Sequence, residues 1–330
     1  MTHGFWEQLK KPFSVLAPMA DVTDVAFRSV VAQCGRPDVF YTEFVSAHGL
    51  ASAGRQRLLL DLALTDSDHP IVAQFFGTKP EHLYEAGKLA RELGFDGVDI
   101  NMGCPDRTIM KQGAGAALMK TPELAADLIH ALRDGSSSAS RRIPVAVKTR
   151  LGLYSTNETD AWLEVILHAK PDVLVVHGRT VKEASKVAAH WDIIGRAAAM
   201  AHDGEVLCVG NGDIVNASQG VALCAQWGTD GFMVGRGIFQ NPWLFSAHGE
   251  SEHTPHKRLH LLLTHTNAWM RQWGGVKSFD FMKKFYKVYV SGWPGAANLR
   301  AQLMEQKGAE QVRAIVTEYL QKGTPTATAR

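Results

Sequence analysis

The sequence predicts an α/β protein with a (β/α)8 fold, the TIM barrel, followed by a C-terminal helical domain. Eight short apolar runs recur between residues 15 and 237, and helical patterns separate them. After residue 245 the short runs stop and only helical patterns continue. We therefore expect a barrel domain over residues 1–245 and a helical domain with a frayed tail over residues 246–330.

The eight runs are too short for helices, and several are apolar without alternation, as in parallel strands covered on both faces. They are VLAPM (15–19), VFYTEFV (39–45), IVAQFFG (71–77), GVDINMG (97–103), VAVKTRLG (145–152), VLVVHGR (173–179), EVLCVGNGD (205–213) and GFMVGRG (231–237). A doubly wound open sheet is the alternative. A GxGxxG motif after the first strand would favour it, and APMADVTD has none.

Helical patterns fill the intervals. EHLYEAGKLARELG (81–94) and TPELAADLIHALRDG (121–135) have apolar residues at helical spacing and end in glycine, a common helix stop. In the C-terminal part, RLHLLLTHTNAWM, FDFMKKFYKVYV and QVRAIVTEYLQ are predicted helices, preceded by a polar linker at 246–257. The last residues, GTPTATAR, form the predicted tail.

Composition and charge limit the function classes. The chain has no run of eighteen apolar residues and no signal peptide, and its four cysteines show no paired spacing. We expect a cytoplasmic monomer without a membrane span, a metal site or disulfides. Residues 257–322 hold 11 Lys and Arg but 4 Asp and Glu, so a net charge of +7 there contrasts with −5 elsewhere. This basic segment predicts a polyanionic partner, and the alternative is a set of solvated helix faces.

Polar residues at the strand ends predict an active site, because barrel enzymes carry their chemistry at the C-terminal ends of the strands. Lys148 and Arg150 lie two apart on one strand and therefore share a face. Two interior cations need an anionic partner, and a reduced flavin is one. The alternative is structural ion pairing. NGD (211–213) and Gly235-Arg236 end the last two strands, where such barrels bind phosphate.

Two further residues at the strand ends have both a structural and a functional interpretation. His177 closes the sixth strand and is either a satisfied structural histidine or a contact to cofactor or substrate. Cys104 follows the fourth strand between Gly103 and Pro105 and is either a small buried apolar residue or a reactive thiol. No histidine lies near it in the sequence to form a nucleophilic pair. Above a flavin, the thiol is better explained as a proton donor.

The residues now quoted resemble those of a known family. NMGCP with GAGAALM, together with APM, QFFG, KTRLG, HGRT, NGD and VGRG in that order, is similar to the tRNA-dihydrouridine synthases. The resemblance covers residues 13–245 and continues more loosely into the helical part. Two departures from the family pattern concern substrate choice: Ser185, Val187 and His190 precede Trp191, and Lys283 and Phe285 replace the usual Arg and His.

The resemblance implies that FMN and NADPH serve to reduce the 5,6 double bond of particular uridines in tRNA, with Cys104 as the general acid. It implies an FMN site built from Pro18, Met19, Ala20, Gln74, Lys148, His177, Asn211, Gly212, Asp213, Gly235 and Arg236. We expect RNA to contact Asn101, Arg107, Lys111, Arg150, Arg179, Lys283, Lys284 and Lys287. A thiol with a pKa of about 8.5 is mostly protonated at pH 7 and can serve as that acid, although the charges of Arg107 and Lys111 would lower its pKa.

Other activities remain open at this point. An FMN-dependent barrel acting on a small-molecule enone or pyrimidine would explain the flavin residues but not the basic segment. An RNA-binding protein with a structural flavin would leave Cys104 unexplained. The sequence does not select the uridine position, tRNA over rRNA, or NADPH over NADH.

Overall fold

The computed structural model describes residues 3–246 and 253–322. Their contacts define two compact units, Met1–Thr23 with Pro37–Gly235, and Asp24–Arg36 with Arg236–Arg330. This division differs from a single boundary at residue 245, because the helix after the first strand groups with the C-terminal helices. The predicted tail at 323–330 and most of the predicted linker lie outside the described residues.

The first unit is a closed parallel barrel of eight strands, which confirms the predicted fold class. Its strands are β1 (Phe13–Leu16), β2 (Phe40–Ser46), β3 (Ile71–Phe76), β4 (Gly97–Met102), β5 (Val145–Arg150), β6 (Val173–His177), β7 (Leu207–Asn211) and β8 (Gly231–Val234). Every neighbour in the order β1-β8-β7-β6-β5-β4-β3-β2 pairs in parallel. A parallel bridge between Val15 and Val39 joins β1 to the start of β2 and closes the ring.

Helices follow the strands as the sequence predicts. Those of the first unit are α2 (Ala47–Leu50), α3 (Arg55–Leu59), α4 (Pro80–Leu93), α5 (Arg107–Lys111), α6 (Pro122–Gly135), α7 (Thr159–His168), α8 (Trp191–Asp203) and α9 (Ala217–Trp227). Helix α4 ends at Gly94, whose φ of 91° closes the C-terminus in the left-handed conformation. The predicted helices at 81–94 and 121–135 are α4 and α6. Helix α5 and a 3-10 helix at Gly115–Lys120 lie in the long β4–β5 connection.

The barrel interior is apolar at its N-terminal end. Alternate strand residues meet there in one buried cluster that includes Tyr41, Val72, Ala146, Val175 and Val209. Because side chains alternate along a strand, the residues two positions further on point to the same interior face. Those positions carry polar residues. The alternation along the strands therefore places polar side chains in the interior at the C-terminal end of the barrel.

The second unit contains α1 (Val25–Cys34), α10 (Gly237–Gln240), α11 (Pro255–Trp273), α12 (Tyr286–Tyr289), α13 (Ala296–Glu305) and α14 (Ala309–Gln321). The stretch predicted as one helix over 279–290 is instead a 3-10 helix, Phe279–Phe285, continued by the short α12. The carboxylate of Asp24 caps α1 through the N–H of Phe27 and accepts the indole N–H of Trp273 at 2.6 Å. Among the described helices, none is both long and apolar enough to span a bilayer.

Candidate active site

Polar residues occupy the interior face at the C-terminal ends of the barrel strands. On β5, Ala146 belongs to the apolar cluster, and Lys148 and Arg150 follow it on the same face. The same alternation aligns Val175 with His177 and Val209 with Asn211. The other interior polar positions are Glu43, Gln74, Asp99 and Asn101. Glu43 and Gln74 lie within β2 and β3 rather than at their last residues.

A chain of hydrogen bonds connects three of these side chains across β3 and β4. Gln74 donates its Nε2 to Asp99 Oδ1 at 2.7 Å, and Asn101 donates its Nδ2 to Gln74 Oε1 at 3.0 Å. The Tyr41 hydroxyl lies 3.5 Å from the other Asp99 oxygen. Asp99 is completely buried, and this desolvation raises its pKa to about 7 against the opposing effects of Gln74 and Lys148.

Asn101 holds the backbone of the Cys104 loop. Its Oδ1 accepts the N–H of Gly103 at 3.1 Å and that of Cys104 at 2.8 Å. The carbonyl of Cys104 in turn accepts the N–H of Ala116 at 3.0 Å. The loop is therefore fixed on both sides of the thiol. Both polar ends of the Asn101 amide are engaged, so its first role in this structure is positioning.

Burial keeps the thiol of Cys104 in its protonated form. Cys104 is half-buried, and desolvation is the main cause that raises its pKa, followed by the opposing N–H of Asp106. The more distant charges of Arg150 and Lys148 also lower it. The shift is opposite in direction to the lowering that the charges of Arg107 and Lys111 would cause. A protonated thiol is what a general acid requires.

Lys148 is a cation with little hydrogen bonding at the centre of the site. Its ammonium donates to Asn211 Oδ1 at 3.3 Å, while Asn211 donates to the carbonyl of Met233 at 2.7 Å. Desolvation, then the charge of Arg150, lowers the pKa of Lys148 to about 8, although Asp99 opposes this. An ammonium has three protons to donate. An anionic ligand bound here would therefore replace the solvation that Lys148 loses on burial.

Two of the three arginines among the predicted RNA contacts, Arg150 and Arg179, bind protein groups. Arg150 donates to the carbonyls of Gly103 at 2.9 Å and Thr180 at 3.2 Å, and so connects the Cys104 loop to the loop after β6. Arg179 is 3% exposed. It forms an ion pair with Asp213 and donates to the carbonyl of Val187 at 2.7 Å. Both guanidiniums therefore shape the loops around the site.

The predicted phosphate region is narrow at β7 and open at β8. Asp213 has a φ of 56°, and its carboxylate also accepts the N–H of Ala189. A Cβ at Gly212 would lie 2.6 Å from that of Ala189, so this position requires glycine. At Gly235 an added Cβ would meet nothing closer than Ala17 at 3.8 Å and Met19 at 4.0 Å. A Cβ at Gly235 would therefore make only ordinary van der Waals contacts.

The remaining predicted site residues lie at the rim or in the second unit. Pro18 and Met19 are partly exposed and Ala20 is exposed, after β1. His177 approaches Arg179 at 3.5 Å, and α5 exposes both of its basic residues, Arg107 and Lys111. Arg236 follows Gly235 in the chain and begins the second unit, which also contains Lys283, Lys284 and Lys287.

The basic residues of the 3-10 helix are not equivalent. Lys283 forms an ion pair with Asp280 at 2.7 Å, so part of its charge is neutralised. Lys284 lies 5.0 Å from the ring centroid of Phe281 and is exposed. Lys287 is also exposed.

One departure from the family pattern has a local explanation. His190 Nε2 lies 2.9 Å from Glu183 Oε1, and the other Glu183 oxygen accepts the N–H of Thr180 at 2.8 Å. These hydrogen bonds close the loop after β6. Among the described residues, no cluster of three or more His, Cys, Asp or Glu side chains is arranged to hold a metal ion.

Sequence reasoning missed two residues of this site. Asp99 was treated as part of an apolar strand, although a carboxylate in such a run, two positions before Asn101, is itself a signal of a buried polar network. Gly115 has a φ of 62° and packs against Cys104. Nothing in the sequence indicated that contact.

Comparison with known proteins agrees with the geometry. The family model described as dihydrouridine synthase matches residues 15–324. A protein named probable tRNA-dihydrouridine synthase from Staphylococcus aureus (strain Mu50) is 38% identical over 323 residues, which are 97% of this chain and 96% of that protein. The probable tRNA-dihydrouridine synthase 2 of Bacillus subtilis (strain 168) is 39% identical over 328 residues, 98% of each chain.

Solved structures share the fold at low sequence identity. Histamine dehydrogenase from Rhizobium sp. 4-9 superposes with a TM-score of 0.54 at 10% identity, covering 78% of this chain and 49% of that one. 6-Hydroxypseudooxynicotine amine oxidase from Pseudomonas geniculata N1 gives 0.57 at 13% identity, covering 98% and 66%. These two likenesses concern the fold alone. The family match and the nearly full-length relatives show that this chain belongs to the dihydrouridine synthase family.

Proposed function

We propose that this protein is a tRNA-dihydrouridine synthase, an FMN-dependent oxidoreductase that reduces the 5,6 double bond of specific uridines in tRNA with NADPH as the reductant. The observation that carries the proposal is the thiol of Cys104, whose pKa burial raises, in a loop held by Asn101 at the same strand ends as the partly buried cation Lys148. The family and the names of its relatives supply the reaction class and the tRNA substrate.

The residues present fit a flavin. Lys148 has donor capacity left after its hydrogen bond to Asn211, and no side chain of residue 235 limits access at the end of β8, because that residue is glycine. We assign the FMN site to Pro18, Met19, Ala20, Gln74, Lys148, His177, Asn211, Gly212, Gly235 and Arg236. Asp213 contributes indirectly, because its carboxylate is engaged by Arg179 and by the N–H of Ala189.

Each protein group then has a defined task. FMN held by these residues and reduced by NADPH would supply the hydride for carbon 6 of uracil. Lys148 would stabilise negative charge on the reduced cofactor. Cys104 donates its proton to carbon 5 as charge develops on the ring, and the raised pKa of the thiol keeps that proton available at neutral pH. The target base has to leave its stack, which costs a few kcal/mol and least in a loop.

The proposed RNA contacts change with the structure. Exposed Arg107 and Lys111 on α5 remain suited to phosphates, as do Lys284 and Lys287 in the second unit. Lys283 is a weaker candidate because it already pairs with Asp280. Asn101, Arg150 and Arg179 hold the loops around the site, so we assign them to positioning rather than to direct contact with phosphate.

The experiment that tests the proposal counts dihydrouridine in RNA. Total tRNA and rRNA from cells with and without the gene are digested to nucleosides and quantified by mass spectrometry. We expect dihydrouridine to fall in tRNA, to be unchanged in rRNA, and to return when the purified protein, FMN and NADPH are added. A fall of dihydrouridine in rRNA alone would identify rRNA, not tRNA, as the substrate. No change in either RNA, and none on addition of the protein, would contradict the proposed activity.

A further inference from the structure

Asp99 lies two positions before Asn101 on β4. It is therefore one layer of interior side chains deeper in the barrel than Lys148, which pairs with Asn101. None of its surface is exposed. Gln74 donates its Nε2 to Oδ1 at 2.7 Å, and the Tyr41 hydroxyl lies 3.5 Å from Oδ2. A carboxylate with this environment fixes which end of each neighbouring group faces it.

The two amides between Asp99 and Cys104 transmit that constraint. A side-chain amide has a donor end and an acceptor end of nearly the same shape, so its orientation depends on its partners. Because the Asp99 carboxylate accepts, Gln74 presents its NH2 group to it and its oxygen to Asn101. Asn101 must then present its NH2 to Gln74 and its oxygen to the N–H groups of Gly103 and Cys104.

We infer that Asp99 is a positioning residue for the proton donor: through the fixed orientation of Gln74 and Asn101, it holds the backbone N–H groups of Gly103 and Cys104. The importance of this positioning for catalysis rests on the role proposed for Cys104. The hydrogen-bond relay from Asp99 to Cys104 consists of protein groups alone. Burial raises the pKa of Asp99 to about 7, so above that pH the ionised carboxylate is available as the acceptor on which the relay depends.

The relay is tested by hydrogen exchange of the Gly103 and Cys104 amides in the purified protein, without RNA or NADPH. In Asp99→Leu the new side chain is similar in size to aspartate but accepts no hydrogen bond. Nothing then fixes which end of the Gln74 amide faces residue 99. We expect the protection of both amides to fall about two- to twelvefold, the range for one neutral hydrogen bond. The β7 amides serve as the internal reference and should keep their protection.

A double-mutant cycle separates this relay from general destabilisation. Asn101→Ala alone should lower the protection of the same two amides by a similar factor. Adding Asp99→Leu to it should lower protection no further, because both changes break one path. Tyr41→Phe is the matched control, since it removes a donor to Asp99 that is not on the path, and it should leave both amides protected.

A second variant covers the case in which Asp99→Leu does not fold. Gln74→Leu cuts the relay at the next link and should give the same loss at Gly103 and Cys104. The inference is overturned if either folded variant keeps wild-type protection, if the effects of Asp99→Leu and Asn101→Ala are additive, or if protection falls equally in β7. These results leave the dihydrouridine assay untouched, so a failed relay is distinguishable from a failed function.

Discussion

Gly115 packs directly against Cys104, and a Cβ at residue 115 would lie 2.8 Å from the Cys104 carbonyl oxygen and 3.3 Å from its Cβ. The contact explains why a glycine-alanine stretch follows the cysteine. The start of the 3-10 helix Gly115–Lys120 has to approach the Cys104 loop closely enough for the Ala116 N–H to reach the same carbonyl. Gly115 also has a φ of 62°, which disfavours every side chain.

Gly115→Ala should therefore lower the free energy of unfolding more than a change of backbone conformation alone. A left-handed alanine costs about 1–2 kcal/mol, and crowding against Cys104 should add about 1–3 kcal/mol. Gly228→Ala is the control, because Gly228 has a φ of 72° and an added Cβ would have no neighbour within 4 Å. Urea unfolding of both variants measures the difference. Equal losses would show that the contact with Cys104 contributes nothing.

Burial lowers the pKa of Lys148 to about 8. FMN binding should therefore weaken as the pH rises through that value. Lys148 carries its charge below this pH and loses it above, so the attraction to an anionic ligand is present at pH 7 and absent at pH 9. Lys148→Met should bind FMN about 10- to 150-fold more weakly at pH 7, the value of one charged hydrogen bond. Fluorescence titration from pH 7 to pH 9 checks this.

In that titration the Lys148→Met variant should show a flat profile over the same range. Lys88→Met removes an exposed lysine of α4 and serves as the control for the loss of one surface charge. The prediction is wrong if the wild-type affinity for FMN does not change between pH 7 and pH 9. It is also wrong if the affinity of the Lys148→Met variant changes with pH as steeply as that of the wild type.

Charge reversal in the second unit should affect RNA binding unequally. Lys284→Glu and Lys287→Glu should each weaken binding and reduce the slope of log K against log salt by about 0.7–0.9 per lost phosphate contact. Lys283→Ala should have a smaller effect because Asp280 already neutralises that ammonium. Filter binding of tRNA at several salt concentrations, with Lys88→Glu as the control, measures it. If all four variants bind alike, the basic segment is only a solvated surface.

The fold could be predicted because apolar runs report buried strands directly. Every observed strand overlaps its predicted run, and the period of two placed Lys148 and Arg150 on the interior face. The grouping of α1 with the C-terminal helices could not be predicted. It involves the hydrogen bond between Asp24 and Trp273, which are 249 residues apart in the chain.

The candidate site could be predicted by residue type but not by task. The sequence indicates that Arg150 and Arg179 are cations at strand ends, but only their partners show that they hold loops. For Asn101 the sequence predicts a substrate contact, and it does not indicate that the amide oxygen also accepts the N–H groups of the loop backbone. The charges of Arg107 and Lys111 indicate a lowered pKa for Cys104, whereas burial, which the local sequence does not report, raises it.

Replacing Cys104 tests the proposed acid role. Cys104→Ala should retain FMN, be reduced by NADPH and bind tRNA, since none of these steps uses the thiol proton. Cys104→Ser is the matched variant, because a hydroxyl is nearly isosteric but a much weaker acid. It should therefore resemble the wild type in stability and the alanine variant in reaction rate. A cysteine that only packs would instead give reduced stability and near-normal turnover per folded molecule.

The most direct measurement is single-turnover reoxidation of the reduced enzyme by tRNA, followed by flavin absorbance. We predict that Cys104→Ala and Cys104→Ser both slow this step by about 10²- to 10⁴-fold, the usual contribution of a general acid. Reduction by NADPH should proceed at the wild-type rate in both variants. Reoxidation of either variant within a few-fold of wild type would contradict the role of Cys104 as the proton donor.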